Sequence, residues 1–309
     1  MALLVLSTVV AIIDITTSIK EDSPGKKFSM TAPQFGPGVG LVRVSGPIDM
    51  EGSSSPFAPP SGAMAVVDQL DRLSKNSDIR AVVVRINSPG GTVGASQEIY
   101  QKIWKLRKKN IPVIASMGDI ATSGGYYIAS ACDFIMANHG TITGSIGVIA
   151  LSPNMTGLFD KLGISMNVIK SGPYKDSLAS YRNLSAGERR LLQEMINTSY
   201  EKFVEDVSLG RNMPQRAIRP YADGRVFTGM AAKKYKLIDE IGTFEDAVNK
   251  ARELAGLSEN APFYKGGDNP LEDFFMGLQG VMKGFSGEKF LREAAGYGDA
   301  YRLEYRYRP

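Results

Sequence analysis

The chain contains one histidine, His139, one cysteine, Cys132, and one tryptophan among 309 residues. A lone cysteine excludes an intramolecular disulfide, and a lone histidine excludes a multi-histidine metal site within one chain. A Ser-His-Asp triad has only His139 to draw on. That residue stands in Asn138-His-Gly-Thr, a turn-like stretch after the apolar run Phe134–Ala137, so a turn role is the stronger reading. Cys132 ends a run of small and aromatic residues with helical character and reads as a buried, inert thiol. Phosphate-loop patterns are missing too: there is no Walker sequence and no GxGxxG followed by a partner acid. No cofactor and no metal are expected. The formal net charge is only +4, with Lys and Arg scattered, and no basic stripe interleaved with aromatics precedes the last few residues. Nucleic acid is not an expected partner.

Long apolar runs are scarce as well. The densest is Ala2–Ile13, broken by Asp14 and continued weakly to Ile19. It falls short of the roughly 20 residues of a spanning helix, and no basic residues precede it. It reads either as a buried N-terminal element or as a membrane anchor that begins upstream, and its apolar density favours the anchor. Residues 20–38, with three prolines and mixed charges, read as a polar linker.

The remainder has ordinary globular composition, 43% hydrophobic and 22% charged. Val39–Ser45 reads as a strand and Gly52–Pro60 as a Ser/Pro-rich loop. Ser61 is expected to cap a helix carrying Met64, Val67, Leu70 and Leu73 on one face. Ala81–Asn87 is almost continuously apolar, as expected of a strand covered on both sides. A helix from about Ala95 to Lys108, a strand at Ile111–Ala115, a helix at Tyr126–Cys132 and a strand at Phe134–Ala137 follow. The alternation predicts an α/β fold with parallel crossovers. Ser165–Lys170 reads as a further strand, and Ser185-Ala-Gly-Glu188 as a capping box opening a long helix with Leu192, Met195, Ile196, Phe203 and Val207 along it. Residues 214–256 read as shorter helices around a Phe227-Thr-Gly turn. Asp268-Asn-Pro270 opens another helix with an apolar side, and Tyr301–Pro309 reads as a flexible tail.

Two glycine-rich turns, Ser88-Pro-Gly90-Gly91 and Thr122-Ser123-Gly124-Gly125, follow consecutive strands and so belong at one edge of a parallel sheet, where ligands bind. Their simple role is tight turning. Their sharper role is a pair of opposed amides, from Gly90 and Gly124, cradling a carbonyl oxygen. Ser123 lies where a strand ends and a helix begins; it reads either as a helix cap or as a hydroxyl placed where negative charge can develop.

Asn87-Ser-Pro-Gly-Gly, Met117-Gly-Asp-Ile-Ala-Thr-Ser-Gly-Gly-Tyr-Tyr-Ile, Thr143-Gly-Ser-Ile-Gly-Val and Gly172-Pro-Tyr-Lys-Asp stand in one order and spacing. Together they resemble the signal peptide peptidase A family, Ser/Lys peptidases of the ClpP/crotonase-like superfamily, over about Val39–Leu257. The resemblance implies repeated ββα units with a parallel sheet and flanking helices. It implies Ser123 as nucleophile, Lys175 as general base, Gly90 and Gly124 as oxyanion amides, and Ser145 as the group that orients the lysine. A lysine serves as a base only when its ammonium is made easier to deprotonate, and desolvation does this. Lys170 is a nearby competitor outside the motif, and Ser286-Gly-Glu-Lys289 matches Ser-x-x-Lys without supporting motifs. Thr122, where the family commonly has alanine, is expected to narrow the pocket slightly.

The layout expected on this basis is an N-terminal membrane anchor at 1–19, a linker at 20–38, a peptidase domain at 39–257 and a helical extension with tail at 258–309. The implied function is a membrane-associated serine endopeptidase acting on remnant signal peptides and other extended apolar peptides. It would sit at the cell membrane with its catalytic domain extracytoplasmic. A single copy of the peptidase unit implies the short form and a homo-oligomer. The competing readings are an inactive scaffold on the same fold and a crotonase-like acyl-CoA enzyme.

Overall fold

The computed structural model describes residues 36–51, 61–265 and 304–306. The expected anchor at 1–19, most of the linker, the Ser/Pro-rich loop and the helix opening at Asp268 lie outside these residues.

The sheet is built on four parallel strands, β1 (Gly38–Ser45), β2 (Ile79–Ser88), β4 (Val113–Thr122) and β5 (Phe134–Ala137). The short strand β3 (Gly90–Thr92) leaves the sheet directly after β2. Helix α1 (Ala63–Lys75) joins β1 to β2, and α2 (Val93–Lys108) carries the chain from β3 to β4. Helix α3 (Gly124–Ser130) runs between β4 and β5. Then β6 (Ile142–Gly144) lies parallel to the second half of β4, after β5 has paired with its first half. One long strand thus has two successive partners along the same edge. That arrangement aims the end of β4, at Ser123, away from β5 and toward β6.

Strand alternation explains the two cores. Val42, Val44, Val82, Val84 and Ile86 face α1, α2 and α3, where they pack with Leu70, Ile99, Ile103 and Tyr127. Val39, Leu41, Ala81 and Val83 point to the opposite face. There α8 (Phe244–Leu254) covers them with Ala247, Val248 and Ala251. Each fully buried Ile or Leu contributes about 1.5–3 kcal/mol. Both faces being covered is why β2 reads as a continuous apolar run.

The remaining elements are α4 (Thr156–Leu162), α5 (Ala186–Gly210), α6 (Gln215–Ile218), a 3-10 turn (Arg219–Tyr221), β7 (Val226–Thr228), α7 (Gly229–Lys234), β8 (Glu240–Ile241), β9 (Phe263–Lys265) and β10 (Glu304–Arg306). The capping box of α5 is formed as expected, with Ser185 and Glu188 each serving the other's backbone amide. Only the second half of α5 enters the core, through Phe203, Val204 and Val207, and Met195 on its first half is exposed.

Several expectations change. Ser165–Lys170 is not a strand: it has no pairing partner among the described residues, and its side chains are exposed, Ile169 completely. Helix α1 is preceded by Gly62 rather than capped by Ser61, and it buries Val66 while Met64 faces outward. The helix turns to pack on α2 and β1, and that packing decides its inner face. Phe227 lies in β7, antiparallel to β6, instead of in a turn. The end of the chain, expected to be a flexible tail, contributes β10, which pairs antiparallel with β3: Arg306 opposite Gly90 and Tyr305 opposite Gly91.

Candidate active site

Ser123 occupies the junction between β4 and α3. It is buried, and its backbone has φ 53° and ψ −116°, a conformation an L-residue adopts only when its surroundings impose it. Those surroundings are visible. Its amide donates to the Gly144 carbonyl at 2.8 Å, and its own carbonyl accepts from Tyr127 as α3 begins. The Ser123 side chain makes no capping hydrogen bond, so the helix-cap reading fails although the residue sits at the cap position. Ser123 instead lines a cavity of about 590 Å³. Backbone strain held at a strand-to-helix turn is the way folds present a nucleophilic serine.

Ser145 lines the same cavity and is also held at positive φ, 52°, by its amide's bond to the Arg225 carbonyl. Ile146, Val148, Ile196 and Tyr200 supply apolar wall, and Asn197 and Asp223 supply polar atoms. The wall from α5 and the 219–224 segment carried no motif, so only the fold could reveal it.

The two glycine-rich turns meet. The Thr122 hydroxyl donates to the Pro89 carbonyl at 3.1 Å, and a Cβ on Gly125 would stand 3.0 Å from the Ser88 carbonyl. Thr122 is therefore a tie between the turns and not a constriction of the pocket. Gly124 begins α3, where the first amides lack intrahelical acceptors. The Gly90 amide donates to Ser88 Oγ at 3.0 Å, and the Gly90 carbonyl accepts from Ile48. Thr92 donates to the Ile48 carbonyl, which leaves the Gly91 backbone facing the opposite edge, where β10 pairs.

Lys175 lies elsewhere. It is exposed, in the turn following Gly172, and does not line the cavity. Its amide donates to the Gly172 carbonyl, and its ammonium makes no ion pair or hydrogen bond among the described residues. Lys170, the competing lysine, is committed to Asp176 at 2.7 Å. His139 is an exposed turn residue, as its sequence context indicated. Cys132 is buried, and burial pushes its thiol well above the ordinary range. No cluster of His, Cys, Asp and Glu able to hold a metal exists among the described residues.

Comparison with known proteins supplies the family. Residues 105–258 match the profile of peptidase family S49, and residues 60–137 match that of Clp protease. Residues 105–258 form a peptidase family S49 region. The chain is similar to a provisionally named protease of Synechocystis sp., 53% identical over 57% of this chain and 64% of that protein. It is 37% identical to a provisionally named signal peptide peptidase SppA of Enterococcus faecium, over 62% of this chain and 56% of the relative. It is 34% identical to the chloroplastic serine protease SPPA of Arabidopsis thaliana, over 72% of this chain and 32% of that protein. The matched stretch spans less than two thirds of the length of each of these relatives. The S49 assignment agrees with the resemblance to signal peptide peptidase A and with the ClpP-like parallel sheet.

Proposed function

We propose that this chain is a serine endopeptidase of family S49 that cleaves extended apolar peptides, remnant signal peptides among them, with Ser123 as nucleophile and Lys175 as general base. The observation that carries the reading is the strained backbone of Ser123, a buried serine that caps nothing and lines a cavity. In the reaction Lys175 takes the Ser123 proton, Oγ attacks the peptide carbonyl, and the leaving amine recovers the proton. Water then hydrolyses the acyl-enzyme. The Gly124 amide and the Gly90 amide stabilise the oxyanion. For Gly90 this requires exchanging its present acceptor, Ser88 Oγ, for the substrate oxygen. Ser145, at the cavity rim, orients the lysine.

The substrate class has its own support. Strand β3, beside these turns, pairs with a three-residue extended segment, as an extended peptide would pair. The cavity wall is largely apolar.

Lys175 reaches Ser123 in this reading when copies of the chain assemble. The segment that carries it exposes Leu151, Leu158, Leu162, Ile164, Met166, Val168 and Ile169, an apolar surface suited to a neighbouring subunit. Burial there also desolvates the lysine, as a lysine base requires. The apolar residues 2–13 support attachment to the cell membrane, with the catalytic domain on the extracytoplasmic side; no helix among the described residues is long and apolar enough to cross one.

The test is cleavage of an apolar fluorogenic peptide by the full chain and by its Ser123→Ala and Lys175→Ala variants. Loss in both, with Ser123 of the parent protein acylated by a serine-directed reagent, supports the dyad. Turnover that survives either substitution overturns it.

A further inference from the structure

Arg182 sits at the centre of a closed charge cluster under the turn that carries Lys175. Its Nε and Nη2 donate to the two carboxylate oxygens of Asp176, at 2.9 and 2.6 Å, and Nη2 also reaches the Asp176 carbonyl. On its other side Nη1 and Nη2 donate to Glu188 at 3.0 and 2.5 Å. Glu188 is almost fully buried, accepts from the Ser177 hydroxyl and caps α5 through Ser185. One guanidinium thereby joins both flanks of the turn to the start of a long helix. Tyr174 adds a packing contact, its hydroxyl 3.2 Å from where a Cβ on Gly187 would stand.

The cluster also accounts for charge. Asp176 immediately follows Lys175, and a free carboxylate there would be the natural partner of the lysine ammonium. Its oxygens are instead filled by Arg182, Lys170 and Tyr181, four bonds in all, which is about the acceptor capacity of a carboxylate. Two anions, Asp176 and Glu188, are balanced by two cations, Arg182 and Lys170. Beside those four, the turn carries Lys175 and the phenols of Tyr174 and Tyr181, the last donating to Asp176, and the start of α5 carries Arg189 and Arg190. Both carboxyls are held well below their usual range by the Arg182 bonds.

We propose that Arg182 is a positioning residue for the reaction: it fixes the turn bearing Lys175 and occupies Asp176, so that the lysine reaches the site without an acidic partner. This rests on the Lys175 reading above. A carboxylate released beside the base stabilises the ammonium and keeps the lysine protonated to higher pH.

The test is the pH dependence of kcat/KM for the full chain on an apolar fluorogenic peptide, with Arg182→Gln, Arg182→Lys, Asp176→Asn and the Arg182→Gln/Asp176→Asn pair. In Arg182→Gln the acid limb moves to higher pH by about one unit, with kcat falling about tenfold at neutral pH and KM little changed. Arg182→Lys lies between. Asp176→Asn, alone or in the pair, returns the limb to its parental position, because the competing charge is gone. A second readout needs no catalysis: the pH at which an amine-directed acylating reagent modifies Lys175, followed by peptide mass mapping, shifts upward in Arg182→Gln and returns in the pair. Activity lost with both pH values unmoved, or an equal shift in Asp176→Asn, overturns the proposal. Failure of the Lys175 base reading shows separately, as turnover retained in Lys175→Ala whatever the labelling gives.

Discussion

The Ser123 amide and the Gly144 carbonyl, 2.8 Å apart, tie the end of β4 to the end of β6 at the point where both chains turn. Gly144 has φ 84° and is followed by Ser145 at φ 52°, so the strained serine leans on a second strained turn. The conformation of one depends on the other. A Cβ on Gly144 would lie 2.6 Å from the Phe227 ring. Gly144→Ala is therefore expected to destabilise the protein by about 1–3 kcal/mol and to abolish most of the activity. Urea unfolding and peptide cleavage together check it; a variant with normal activity would show that Ser123 holds its backbone without this support.

Thr122→Val keeps the shape of a buried side chain but removes the donor to the Pro89 carbonyl. Leaving that carbonyl without the bond costs about 1–3 kcal/mol. Because the bond joins the two glycine-rich turns, kcat is expected to fall several-fold with KM nearly constant. Thr122→Ser, which retains the donor, restores most of kcat. Steady-state kinetics on the pair of variants separates the tie from pocket width, since widening the pocket would change KM first.

Tyr127 anchors α3 from behind. Its hydroxyl donates to buried Asp206 at 2.5 Å, while Tyr100 donates to the Asp206 carbonyl and Lys202 pairs with the carboxylate. Tyr127→Phe leaves a buried carboxylate short of a donor and is expected to cost about 1–3 kcal/mol. Stability measured by urea titration checks the figure. The effect on kcat is expected to be small, because Ser123 is held by β6 at the other end of the helix.

Acid should loosen the Lys175 turn before the sheet. Asp176 and Glu188 bind protons less readily in the folded chain than in the unfolded one, so their contribution to stability is complete above their ordinary values of 3.8 and 4.5. It declines as pH falls below that range, where the unfolded chain binds protons and the folded carboxylates do not, and it is lost entirely only below the much lower folded-state range. Hydrogen exchange at pH 6 and pH 3 is expected to show protection reduced in residues 171–188 while that of β1, β2 and β4 is unchanged. Equal loss in both regions would contradict the assignment.

The sheet could be read from the chain because its strands declare themselves by continuous Val and Ile, and Ser185 and Glu188 announced α5 through a purely local exchange of hydrogen bonds. The site was legible as far as its turns. The positive φ of Ser145 was not, since it arises from the Arg225 carbonyl far along the chain. Ser165–Lys170 has strand composition but no partner among the described residues, and composition says nothing of partners. Glu188 is legible as a cap, yet its second bond, to Arg182, is what links the cap to the Lys175 turn, and that pairing exists only after the segment folds back.

Cys132, buried and held protonated, leaves the described surface without a free thiol. A cysteine introduced on the 151–169 segment would then be the sole reactive sulfur on that surface in the folded state. A single spectroscopic label placed there would report the approach of a neighbouring copy without removal of any native residue.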